Sequence, residues 1–220
     1  MKNLGLAILL MAAVSTVAVA APCITDTLAS YIALGAGGCQ ISGITFNNFV
    51  YAAGGSGVAA DFITVEPTAV PITLLFSSAW SVAGGTISPE IGYQVASGGT
   101  ITGNSLSLAL VSGTGESPSF SISELKCLDD LFPACAGGVL VGNFVFLNSG
   151  GSSTFDISFF PAPGSIDVLN LMTVTAGGGD LAVLEAFSNR FESIPEPGVA
   201  WLAGGGLVLL ALLRKKLRTT

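Results

Sequence analysis

Ser105-Leu106-Ser107-Leu108-Ala109-Leu110-Val111 and Thr154-Phe155-Asp156-Ile157-Ser158-Phe159-Phe160 decide how this chain is read. In the first stretch Leu106, Leu108 and Leu110 share a face, with Ser105 and Ser107 opposite. In the second, Phe155, Ile157 and Phe159 oppose Thr154, Asp156 and Ser158. Side chains alternate between the two faces of a strand, so a period of two with one apolar face marks a half-buried β-strand. The apolar rows are expected to face the core.

Weaker alternation runs through residues 44–51, 59–65, 70–76, 91–96, 119–125, 139–147, 165–175 and 181–191. Glycine punctuates these runs at Gly37-Gly38, Gly54-Gly55, Gly84-Gly85, Gly98-Gly99, Gly137-Gly138, Gly150-Gly151 and Gly177 to Gly179, each read as a turn. About ten strands with little helical pattern between them predict a mainly β chain. The expected form is a single antiparallel β-sandwich, jelly-roll-like, over residues 21–193, with a β-barrel as the alternative.

One segment departs from that pattern. Residues 26–34 (DTLASYIAL) follow Thr25, a good helix N-cap, put Leu28, Tyr31 and Ile32 on one face, and stop at Gly35. A short N-terminal helix is predicted there. Cys23 and Cys39 bracket it, and Cys127 and Cys135 bracket a second short segment. Four cysteines allow three connectivities, of which local pairing, Cys23 with Cys39 and Cys127 with Cys135, is the expected one.

Between residues 22 and 193 stand 13 acids against Lys126 and Arg190, so the net charge there is 2 − 13 = −11. An acidic surface repels phosphate backbones and anionic headgroups, which argues against nucleic acid as a partner. The chain has no histidine, which excludes Ser-His-Asp and Cys-His catalysis and His-containing zinc sites. The cysteine spacings do not match a Cys₄ zinc site, so no metal and no cofactor are expected. Ser123-Glu124-Leu125-Lys126 fits Ser-x-x-Lys but lacks the companion elements of that chemistry, and reads as a strand with an exposed lysine. Carboxylates are the remaining catalytic stock. Asp129-Asp130 is the densest acidic spot and is read as a solvated loop in preference to a calcium site. Trp80 and Tyr93 are read as core residues that would stack on sugars only if exposed.

The ends of the chain are of another kind. Met1-Lys2-Asn3, an apolar stretch over residues 4–13 and Ala18-Val19-Ala20 fit a secretory signal peptide over residues 1–20, with Ala18 and Ala20 forming the small-x-small cleavage site. At the other end Pro195-Glu196-Pro197 precedes an uncharged run, residues 198–213, and then the basic cluster Arg214, Lys215, Lys216 and Arg218. As a helix the run is roughly 24 Å long against a hydrocarbon core of about 30 Å. It spans only with thinning or snorkelling, and the cations belong on the cytoplasmic side.

Residues 194–220 thus resemble the PEP-CTERM sorting signal of exported bacterial proteins: Pro195, Glu196 and Pro197 match the naming motif, residues 199–213 the hydrophobic segment, and residues 214–218 the basic terminus. Residues 23–50 (CITDTLASYIALGAGGCQISGITFNNFV) also look like the start of one subgroup of that family. The resemblance implies recognition and removal of the tail by a membrane-embedded exosortase, transient residence in the inner membrane, and delivery to the cell surface or extracellular matrix. It brings no molecular activity for the body. The expected function is that of a non-enzymatic, exported structural or interaction protein of the surface or biofilm matrix. The alternatives are a module binding extracellular polysaccharide and, more remotely, a carboxylate-dependent glycoside hydrolase.

Overall fold

The computed structural model describes residues 20–97, 100–115, 118–132, 135–148 and 151–193. The signal peptide, the Pro195-Glu196-Pro197 motif, the apolar run and the basic cluster all lie outside them. Among the described residues no helix is long and apolar enough to cross a membrane.

The protein is mainly β. Its strands are β1 Ala21–Pro22, β2 Asp26–Thr27, β3 Cys39–Ile41, β4 Ile44–Ala52, β5 Thr64–Ala69, β6 Ile72–Ile87 and β7 Glu90–Ala96, then β8 Ile101–Thr114, β9 Ser119–Leu128, β10 Val139–Asn148, β11 Gly151–Ser153, β12 Phe155–Phe159 and β13 Ser165–Ser193. Among the described residues they form one hydrogen-bonded sheet of 13 strands. All pairs are antiparallel except β1 with β3, which is parallel, so the all-antiparallel expectation needs that correction.

β13 organises the rest. Its first half, from Ser165, pairs with β7 on one edge and β9 on the other, whereas its second half, from Leu181, pairs with β6 and β8. β6 runs on into β7 along one edge, and β8 into β9 along the other. These three ribbons all turn over at one corner, and the sheet curls back so that its two ends face each other. One layer is β3-β4-β7-β13-β9-β10 and the other β5-β6-β13-β8-β12.

Glycine makes the corner. Gly84, Gly85, Gly115 and Gly179 all have positive φ, from 70° to 104°, where other residues are strained. A Cβ on Gly84 would sit 3.6 Å from the Gly177 carbonyl, and one on Gly115 would collide with the Asp180 carboxylate. Gly84-Gly85 and Gly177 to Gly179, expected as turns between strands, are therefore bends inside β6 and β13. That is why residues 165–175 and 181–191 belong to one strand.

Between the layers lies an aromatic core. Phe46, Phe76, Trp80, Tyr93 and Phe187 are fully buried, and Phe76 stacks on Phe187 with centroids 5.1 Å apart. Each such ring removes some 150–250 Å² from water. The core reading of Trp80 and Tyr93 holds.

The helix is shorter than expected. Asp26 and Thr27 pair with β5, and α1, Leu28–Ala33, starts after them with Thr27 as N-cap, its Oγ1 accepting from Ser30 N at 3.2 Å. Leu28 and Tyr31 are buried, and Gly35 takes φ 54° just beyond the helix. Both disulfides are the local ones, Cys23–Cys39 and Cys127–Cys135, and no described cysteine is free. They suit a chain that folds in an oxidising, exported environment.

Two strand expectations are corrected by turns. Residues 60–62 form a 3-10 turn ahead of β5, and Val70, 92% exposed, lies in the hairpin between β5 and β6.

Candidate functional site

Two features stand out, one sealed inside the curl and one on its surface. Glu124 and Lys126 are two apart on β9 and so project from the same face, which is the inner one; both are fully buried. Lys126 is therefore not the exposed lysine its sequence context indicated, and Glu124 adds nothing to the surface charge. The register extends the cluster sideways. Glu124 lies opposite Asn143 of β10 on one side and opposite Asn170 of β13 on the other. Asn104, on β8, reaches the same point from the facing layer.

Lys126 Nζ donates to Glu124 Oε1 at 2.6 Å and to Asn104 Oδ1 at 3.2 Å. Asn143 Nδ2 donates to Asn104 Oδ1 at 3.0 Å and to Glu124 Oε1 at 3.3 Å. Among the described residues Asn104 Nδ2, Glu124 Oε2 and Asn143 Oδ1 make no hydrogen bond of good geometry. Burial pushes the Glu124 carboxyl above the usual carboxylate range, while the Lys126 charge and contacts from Lys126, Asn104 and Asn143 pull it down. A pair of charges taken wholly out of water costs several kcal/mol per ion before attraction offsets it, which sets this cluster apart from ordinary core packing. Further along, Asn189 Nδ2 donates to the Tyr93 hydroxyl at 2.7 Å; burial holds that phenol well above its ordinary value, with Glu124 adding to the effect.

On the surface, Phe144 and Phe146 stand two apart on the outer face of β10, rings 5.7 Å apart and inclined by 24°. Ser119, Phe120, Ser121 and Asn148 complete an open groove around them. Phe144 is 48% exposed. β12 carries a second outward row, Phe155, Ile157 and Phe159. The expectation that this row faces the core is reversed. At this end of the curl the inner face is polar: Ser158 lies opposite Asn104 in register, and the Asp156 carboxylate accepts from Phe144 N at 2.8 Å. Leu106 and Leu108 do face inward, whereas Leu110 is 53% exposed where the pairing with β13 shifts register around Ala186.

The Asp129-Asp130 pair is occupied by backbone amides. Asp129 Oδ1 accepts from Gly164 N and Ser165 N, and Asp130 from Leu131 N and Gly137 N. Among the described residues no three potential ligands gather around a common point. Sequence reasoning passed over Asn104 and Asn143 entirely. Their only signal was an inward parity on strands otherwise apolar on that face.

No protein-family model matches the chain, and no curated protein does. Among solved structures the chain is similar to TmCBM61 in complex with β-1,4-galactotriose, at 12% identity over 66% of this chain and 88% of that one, TM-score 0.31. It is also similar to the enzymatically active domain of bacteriophage CBA120 tailspike protein 4, at 14% identity over 70% of this chain and 20% of that one, TM-score 0.27. A third likeness is to a structure of carbohydrate-binding modules from the β-sandwich superfamily, at 10% identity over 69% of this chain and 56% of that one, TM-score 0.20. Similarity of this degree decides neither fold nor ligand.

Proposed function

We propose that the protein is an exported, non-enzymatic structural module of the cell surface or extracellular matrix that holds polysaccharide on the outer face of β10. The observation that carries this reading is the Phe144–Phe146 pair, two near-parallel rings lying open in a groove edged by Ser119, Ser121 and Asn148. Aromatic faces pack against the apolar faces of sugar rings, and hydroxyl and amide groups at the rim take up the sugar hydroxyls. Exposed apolar surface of this kind marks an interaction site. The itinerary rests on the Pro195-Glu196-Pro197 tail and its exosortase reading.

Affinity electrophoresis of the mature protein through gels containing neutral and acidic polysaccharides tests the binding. Retardation is expected for the wild type and is expected to vanish in Phe144→Ala/Phe146→Ala with the melting temperature unchanged. Wild-type mobility unaffected by every polysaccharide defeats the reading. For the itinerary, the surface-associated product should lack Trp201 and the basic cluster by mass spectrometry, whereas Glu196→Ala should retain them.

A further inference from the structure

We infer that Lys126 and Asn104 become joined by an intramolecular isopeptide bond, with Glu124 as the proton-transfer group and Asn143 as the donor to the developing oxyanion. The nucleophile and the electrophile come from facing layers, β9 and β8, and meet in a volume from which water is excluded. Lys126 Nζ lies 3.2 Å from Asn104 Oδ1, whose carbon is bonded at about 1.23 Å, so amine and carbonyl are already held in reach of each other.

The step balances. A proton crosses from Lys126 Nζ to Glu124 Oε1 over their 2.6 Å contact, converting a buried ion pair into a neutral amine and a carboxylic acid. The Nζ lone pair then adds to Asn104 Cγ, and the π pair moves onto Oδ1, which already accepts from Asn143 Nδ2 at 3.0 Å. Glu124 delivers its proton to Asn104 Nδ2 and takes one from Nζ. The C–Nδ2 bond breaks, ammonia leaves, and a Lys–Asn amide remains with Glu124 protonated. No oxidant, reductant or co-reactant is needed.

Two features of the cluster fit this chemistry better than a static role. Among the described residues Asn104 Nδ2, the leaving nitrogen, is one of six buried polar side-chain atoms that make no hydrogen bond of good geometry. The reaction removes that donor along with both buried charges. It also leaves Glu124 neutral, the state its burial favours.

The test is the intact mass of the mature, oxidatively folded protein after its disulfides are reduced. The expected result is a deficit of about 17 Da, the ammonia lost, and a chymotryptic fragment in which Lys126 is linked to Asn104. Glu124→Gln and Lys126→Met should both show the full sequence mass. Full mass in the folded wild type overturns the inference whatever the variants do. A deficit that maps to a cyclised asparagine, or to a Lys126 link with Asn143, overturns it as well.

Discussion

Asn189 Nδ2 donates to Asn170 Oδ1 at 3.1 Å, although both residues belong to β13. The strand turns over at its glycines and touches itself across the interior, so one hydrogen bond reports that the two layers are closed. Asn189 also serves Tyr93, which makes it a junction between β13 and β7.

Replacing Asn189 by Ala should therefore cost about 1–3 kcal/mol, because Asn170 Oδ1 would lose the donor it has in the core and the Tyr93 hydroxyl would keep only its contact with Asn170. Urea unfolding, with an unchanged m-value, measures this; a loss below a few tenths would mean that the two groups find other partners.

The two bridges should differ modestly in weight. Their cysteines are 16 and 8 residues apart, for which the chain-entropy relation gives about 3 and about 2.5 kcal/mol. Paired Cys→Ser variants, compared in guanidinium, should lose stability in that order.

Acid should loosen the Cys127–Cys135 loop only where the Asp130 carboxyl takes its proton. The Gly137 and Leu131 amides hold the Asp130 carboxyl below its ordinary value. A depressed carboxylate contributes stability that is fully present above the unfolded value of about 3.9 and is lost as pH falls through the folded one. The protection factor of the Gly137 amide should fall below about pH 4, and Asp130→Asn should show that lower protection already at neutral pH. A Gly137 amide equally protected in both proteins at pH 7 would refute this.

Gly54 should tolerate substitution worst among the exposed turn glycines. It sits at φ 55° and a Cβ would run into the Ser88 carbonyl, whereas Gly57, at φ 69°, has open space around it. Gly54→Ala should cost more than about 1 kcal/mol and Gly57→Ala close to that figure, since only the first adds a clash to the backbone strain. Thermal melts of the two variants give the comparison.

Much of this fold is legible in the period of the sequence. Ser119–Leu128, Val139–Asn148 and Glu90–Ala96 fall where alternation places them, and both disulfides follow from proximity along the chain. Polarity is where the pattern misleads. Phe155, Ile157 and Phe159 face out because the inside beside β12 belongs to Asn104 and its neighbours. Alternation tells which residues share a face, not which face is wet, and a polar interior inverts the usual assignment. Glu124 and Lys126 were hidden for the same reason. Two charges at i and i+2 on a strand read as solvent-facing unless register shows what lies opposite them, here Asn143 and Asn170 beside Glu124 and Val141 and Val168 beside Lys126. The corner glycines are equally ambiguous in one dimension, since a positive φ serves a turn and a bend alike.

The placement of β13 also fixes an order in time. It is the last of the described strands, yet it lies at the centre of both layers and touches β6, β7, β8 and β9. A chain emerging from its N-terminus can pair β5 with β6, β4 with β7, β8 with β12 and β9 with β10, but each of β6, β7, β8 and β9 keeps one edge open until residues 165–193 arrive. Neither layer is complete before then. Closure of the two layers on each other therefore waits for nearly the whole body to emerge, however early the outer hairpins pair.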